Sequence, residues 1–203
     1  KLHGMDLPTN VYPLFAQALR KEEKKTAATH LDECSALFSE FSKIASKNPY
    51  SWFPSYRSAA EIAEESPNNR MVGFPYTKYL NSVIRVNMAS AFILMSQEKA
   101  NELHVAENKR VYVHGCSILN DIWNVTERPD FHSSPAIKTC VNQSLDQAEI
   151  SLSDIKHFDL YSCFPSAVQI AKKELGIPEE KKDLTVTGGL PYFGGPGNSY
   201  TML

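Results

Sequence analysis

Hydrophobic and polar positions along the chain fall into two regimes, one helical and one mixed. In the first third, Val11, Leu14, Phe15, Ala18 and Leu19 recur at i, i+3, i+4, i+7 and i+8 and form one apolar stripe. The charged run RKEEKK at 20–25 closes that helix in solvent. A second helix carries Leu31, Cys34, Leu37, Phe38, Phe41 and Ile44 on one face. Asn48-Pro49 stops it, because proline disfavours helical geometry in the residue before it. Ser58, with Glu61 three residues on, is a capping box that opens a short third helix, and Pro67 ends it.

From residue 68 strand-like runs alternate with helical ones. Strands are predicted at 71–74, 91–95, 110–118, 159–162 and 184–187. The apolar run AFILM at 91–95 reads as a buried strand. Helices are predicted near 98–103, after Ser134-Pro135 with Ile137, Val141 and Leu145 on one face, and at 165–175, closed by Gly176 and Pro178. This alternation indicates an α/β layer architecture. No internal repeat is visible, although one half of a larger pseudo-repeated fold would look like this.

Composition narrows the partners. The chain has 203 residues, enough for one substantial core, with 42% hydrophobic and 22% charged residues. A net charge of −2 argues against nucleic acid or an anionic membrane as the main partner. No apolar run approaches the roughly 20 residues of a membrane span. Cys34, Cys116, Cys140 and Cys163 show no regular spacing, which reads as buried thiols and not a disulfide framework, in a reducing compartment such as the cytoplasm. The opening KLHGMDLP carries no signal-peptide pattern and looks internal to a longer protein.

Two stretches carry candidate chemistry. In DLYSCFPS at 159–166 a strand ends and a helix begins within three residues. Cys163 then lies near the positive end of a helix dipole, where a thiolate is stabilised and its pKa falls. The alternative is a buried cysteine packed under the helix. The stretch GGLPYFGGPG at 188–197 holds five of the nine glycines. It lacks the lysine of a phosphate-binding GxxxxGK[ST] loop and the spacing of a dinucleotide GxGxxG. It is a wide turn that either lets backbone approach a ligand or is purely structural. His30 with Cys34, and His114 with Cys116, are the only metal-like pairs, and neither has further ligands at a regular spacing, so no metal site is expected. No GxSxG elbow supports serine catalysis.

Together with two further stretches, these motifs resemble the thiolase superfamily. VNMASAFILMSQEKANEL at 86–103 is similar to the segment opening the C-terminal half of thiolases. DLYSCFPS falls where thiolases carry Asn-Glu-Ala-Phe and sterol-carrier-protein thiolases carry His-Asp-Cys-Phe. The glycine stretch resembles the GGxxxxGHPxG loop with its glycines and Pro196 in step. NPYSWFPS at 48–55 resembles the exit from the loop domain that covers the acyl-CoA pocket.

The resemblance, closest to acetyl-CoA acetyltransferase-like proteins, implies a thiolase-like α/β fold with a mixed five-stranded sheet between helices. Residues 1–67 would be a helical loop-domain segment, and 68–203 a C-terminal domain ending before its last strands. It implies an acyl-CoA-dependent acyltransferase of lipid metabolism, with a coenzyme A thioester as substrate and no permanently bound cofactor. Cys163 would serve as acid/base, with Tyr161 at the position of the family's Asn or His. Gly189, Gly194, Gly195, Pro196 and Asn198 would line the substrate. The nucleophilic cysteine would lie in the first half, outside these residues. A homo-oligomer, dimer or tetramer, would follow from the family's habit. One departure counts against ordinary thiolase condensation: Gly195 stands where the family has an oxyanion-hole histidine, and one lost donor costs about 10²–10³ in rate. The alternative is a thiolase-fold protein that binds acyl-CoA or a partner without catalysis.

Overall fold

A computed structural model describes residues 4–202 of the chain. The helical first third forms as its pattern predicts. Helix α1 spans Pro8–Glu22 and opens on a proline, whose missing N–H would have had no helical partner there. Pro13 lies inside α1. It cannot donate to the Thr9 carbonyl one turn earlier, and Gly73 packs onto that carbonyl so closely that a Cβ would lie 2.7 Å from it. Helix α2, Ala27–Ala45, is capped by Thr26, whose hydroxyl accepts from the Thr29 amide at 3.1 Å. Helix α3, Ala59–Ala63, is capped by Ser58 in the same way.

Asn69 then ties α3 to the segment after it. Fully buried, it donates to the carbonyls of Glu61, Ile62 and Glu64 at 3.1, 2.9 and 2.8 Å, and its own side-chain oxygen accepts from the Tyr79 amide at 2.9 Å. The last carbonyls of a helix need such partners. Strands β1, Met71–Gly73, and β2, Tyr76–Thr77, come next as an antiparallel pair. Helices α4, Gln97–Glu102, α5, Pro135–Ala148, and α6, Pro165–Glu174, complete the regular elements among the described residues. Gly176, with φ of +64°, lies just beyond α6 at the predicted stop.

The core lies where α1, α2 and α6 meet the glycine stretch. Phe38 and Phe41 of α2 stack with centroids 5.2 Å apart, Tyr192 meets Phe38 edge-on, and Val168, Leu184 and Leu190 close the cluster. The first third therefore packs directly on the second regime, with α1 and α2 both against α6.

The sheet departs from expectation. The two-stranded β1–β2 pair is the one ladder among the described residues. Segments 159–162 and 184–187 do lie side by side, joined by the Leu160 amide to the Leu184 carbonyl at 2.9 Å. They form no continuous ladder. The run at 91–95 is not a buried strand: Phe92, Ile93 and Leu94 are 66%, 84% and 80% exposed. Val111, Val113 and Ile118 are exposed likewise. A run apolar on both faces reads as a strand covered on both sides, but ladder and cover both come from neighbours, and the described residues supply none there.

Candidate active site

Three segments converge on Cys163. The Ser82 amide donates to the Cys163 carbonyl at 3.1 Å, and the Val83 amide to the Leu190 carbonyl at 3.3 Å. The Leu190 amide in turn donates to the Ser162 hydroxyl at 3.1 Å. Cys163 is thus pinned between residues 82–83 and the glycine stretch, two positions before α6 begins.

Its surroundings are aromatic. Tyr12 of α1 stacks on Phe164 with centroids 4.4 Å apart and planes 15° from parallel. Tyr76 lies under Phe164, and its hydroxyl accepts from the Ser166 amide at 3.2 Å, occupying one of the donors at the start of α6. Burial pushes the Cys163 thiol above its ordinary range. The Tyr12 hydroxyl and the amides of Phe164 and Cys163 pull the other way without overcoming it. The thiol pKa expected to fall at the helix start therefore rises, because desolvation of the charged form outweighs a helix end whose donors are partly occupied.

An apolar cavity of about 590 Å³ adjoins the site. Tyr12 and Phe15 from α1, Ile137 from α5, Ile170 from α6, Trp123 and Tyr161 supply its walls, with Arg128 and Asp121 among the polar groups. Arg128 donates to Asp121 at 3.0 Å and to the Ser133 carbonyl at 3.0 Å, so the pair is internally neutralised. Tyr161 is 44% exposed and stands edge-on to Tyr200, 5.7 Å between centroids. Burial, then the neighbouring Cys163, pushes the ionisation of its hydroxyl up. Asp159 braces the same corner, accepting from Tyr200 at 2.9 Å and from the amides of Val186 and Thr187 at 3.0 and 3.2 Å.

The glycines make close approaches, and their neighbours here are protein. A Cβ on Gly189, at φ +78°, would lie 2.6 Å from Phe41 and 2.8 Å from the Ser162 hydroxyl. A Cβ on Gly195 would lie 2.5 Å from the Ser82 hydroxyl, and the Gly195 amide donates to the Val83 carbonyl at 2.9 Å. Gly194 faces Met88 in the same manner. Pro196 is half-buried and Asn198 exposed. Of the residues expected to form a site, the structure brings Tyr161 to the cavity wall and Cys163 just behind it. Gly189, Gly194, Gly195, Pro196 and Asn198 are not among the cavity-lining residues. Sequence reading missed Tyr12, although it lies three residues from Phe15 on the same helix face.

His30 and Cys34 do meet, with Nε2 and Sγ 3.6 Å apart, and Glu23 and Glu33 lie beside His30. The Lys25 ammonium sits between those carboxylates at 2.9 and 2.6 Å. Burial lowers the Lys25 pKa, but bonds to Glu23 and Glu33 lift it to about 12, so a cation already fills this cluster. All four cysteines are free, but only Cys34 and Cys163 are buried as expected; Cys116 is exposed and Cys140 half-buried. No helix of the described residues is long and apolar enough to cross a membrane.

No family model and no curated protein matches the sequence. Solved structures do match. The chain is similar to the crystal structure of a monomeric SCP2-thiolase like protein type 1 from Mycobacterium smegmatis, with a TM-score of 0.85 and 36% sequence identity. The match covers 97% of this chain and 44% of that one, so the chain spans less than half the length of the protein it resembles.

Proposed function

Because the chain belongs with the thiolase-like proteins, we propose that it forms the acyl-pocket part of an acyl-CoA-dependent acyltransferase, acetyl-CoA acetyltransferase-like in its substrate class. One observation carries the reading: a buried thiol whose ionisation that burial pushes up, two positions before α6 and two after Tyr161 on the wall of an apolar cavity. A thiol whose pKa is raised is a poor nucleophile and a good proton store at neutral pH. Cys163 in this reading gives a proton to the carbon that becomes negatively charged when a C–C bond breaks, and takes one back in the reverse direction. The nucleophile that carries the acyl group as a thioester lies outside these residues. Tyr161 offers a hydroxyl to the developing oxyanion. In this reading Gly189, Gly194, Gly195, Pro196 and Asn198 line the coenzyme A thioester outside the 590 Å³ cavity. The exposed runs at 91–95 and 110–118, with 159–162 and 184–187, supply strands of the five-stranded sheet. Residues 1–67 act as the loop-domain segment that covers the acyl-CoA pocket, with 68–203 as the C-terminal domain.

One observation favours a second reading, a binder without condensation activity. The Gly195 amide is committed to the Val83 carbonyl, so the position of the family's histidine offers no free donor. Labelling separates the two. Radiolabelled acetyl-CoA is incubated with the protein in its full natural length, quenched, and the peptides are mapped. A labelled cysteine thioester, with slower turnover in Cys163→Ala, supports acyl transfer. Coenzyme A binding by calorimetry without label moves the assignment to the binder. Light scattering on the same sample tests self-association against the monomeric state described for the Mycobacterium smegmatis protein.

A further inference from the structure

The cluster at the start of α2 holds more than an ion pair. Glu23, His30 and Glu33 each offer one ligand atom, a carboxylate oxygen or a ring nitrogen, and these atoms all lie within 4.8 Å of one another. His30 is fully buried, and its Nδ1 has no hydrogen-bond partner among the described residues. Its Nε2 lies 3.6 Å from the Cys34 sulfur, so Nδ1 is the ring atom left over. With the ring proton on Nε2, facing sulfur, Nδ1 presents a bare lone pair. A buried polar atom without a partner is uncommon and calls for one. The neighbouring cations bond elsewhere. The Lys25 ammonium goes to Glu23 at 2.9 Å and to Glu33 at 2.6 Å, and the Arg20 guanidinium to Gln17 and the Lys25 carbonyl, both at 2.9 Å.

We propose that Glu23, His30 and Glu33 form a binding site for one divalent transition-metal ion of the zinc type, with Lys25 as its tethered competitor. The proposal is independent of the acyl-transfer reading. Two carboxylates and one imidazole make a donor set that suits zinc, and the nitrogen disfavours magnesium, which prefers oxygen throughout. Three protein ligands leave the fourth position of a tetrahedral ion to water. Bonds of zinc length bring ligand atoms to about 3.4 Å from one another, so the side chains must draw together. The glutamates are the parts free to do so, since their side chains are 25% and 40% exposed while His30 is held inside α2. Lys25, with its side chain 27% exposed, can swing out into solvent as the ion enters. A divalent ion matches both carboxylates, where the ammonium matches one. Bound there, it would staple Glu23, the residue closing α1, to the first turns of α2.

The test is calorimetric titration of zinc ion into the protein at its full natural length, with magnesium ion as the second probe. Wild type is compared with Lys25→Met and Glu33→Gln, and the latter lies at an exposed position. One equivalent of zinc is expected, bound at least about tenfold more tightly in Lys25→Met and at least about tenfold more weakly in Glu33→Gln. Zinc should also raise the melting temperature of Lys25→Met, because an ion that binds the folded state stabilises it. The ring nitrogens of His30, followed by ¹⁵N resonance in wild type, should shift as zinc is added. Equal zinc affinity in the three proteins overturns the site and places the ion on other surface groups. Folded Lys25→Met that binds no zinc overturns it as well. Magnesium binding as tight as zinc, or unmoved His30 resonances, removes the imidazole and with it the proposal. Should Lys25→Met fail to fold, the Glu33→Gln comparison and the His30 resonances decide the question in its place.

Discussion

At the scale of single residues, the position of Cys163 was legible and its chemistry was not. Pro165 two residues after Cys163 suggests a helix start, and α6 does open there, although 159–162 forms no strand. The direction of the thiol's pKa depends instead on Tyr12, Tyr76 and Phe164, which bury it, and the two tyrosines come from far earlier in the chain. Desolvation is a property of the packed molecule, whereas the helix dipole can be guessed locally. The competition between them has a direct readout. Iodoacetamide applied to the folded chain at about pH 7.5 should modify exposed Cys116 first, with Cys163 and Cys34 at least about tenfold slower, and all four should react alike in denaturant. A Cys163 that reacts as fast as Cys116 would mean that the helix start wins over burial.

At the scale of elements, the helices announced themselves because their signals are local. The Ser58 cap, the Pro135 start and the Gly176 stop depend on residues within one turn of the helix they bound, whereas the Ser134 hydroxyl goes to Asp121 and makes no cap bond. The Asn69 clasp was invisible, since nothing in the sequence says which carbonyls a lone asparagine will reach. The glycine stretch was legible as a close approach but not as to what is approached. Phe41, Ser162, Ser82 and Met88 fill the space beside it. Two glycines separate conformation from packing. Gly176 and Gly189 both have positive φ, +64° and +78°, but a Cβ on Gly176 meets nothing within 4 Å and one on Gly189 meets Phe41 at 2.6 Å. Gly176→Ala should cost only the left-handed strain, about 1 kcal/mol. Gly189→Ala adds overpacking and should cost about 3 kcal/mol, with a melting temperature lower by roughly 6–12 °C for a chain of this size. Equal losses in the two variants would remove the close approach to α2 as the reason for Gly189.

At the scale of the whole molecule, the apolar residues divide between a dense core and exposed runs in the second half of the chain. Phe38, Phe41, Leu184 and Leu190 are fully or nearly fully buried, whereas Ile93, Leu94, Val111, Ile118 and Trp123 are each at least 80% exposed. Sequence pattern alone could not tell Leu184 from Ile93, Leu94, Val111 and Ile118, because all of them lie in runs that read as strands. The difference is whether a neighbour supplies the ladder and the lid. The chain matches 44% of the Mycobacterium smegmatis protein, and exposed apolar runs of this kind bear on how the chain behaves by itself. A contiguous apolar area beyond a few hundred Å² on a protein surface recruits whatever apolar surface is available, and unpaired backbone in such runs adds hydrogen-bonding edges. The 203-residue chain should therefore bind a hydrophobic dye such as anilinonaphthalene sulfonate in the native state and scatter light increasingly as its concentration is raised. Ile93→Lys with Val113→Lys, both at exposed positions, should lower both signals at least about twofold and leave the melting temperature within about 2 °C, since neither side chain contributes to the core. Unchanged dye binding in that double variant would locate the adhesive surface elsewhere, for instance at exposed Tyr50, Trp52 and Tyr56 in the segment after α2.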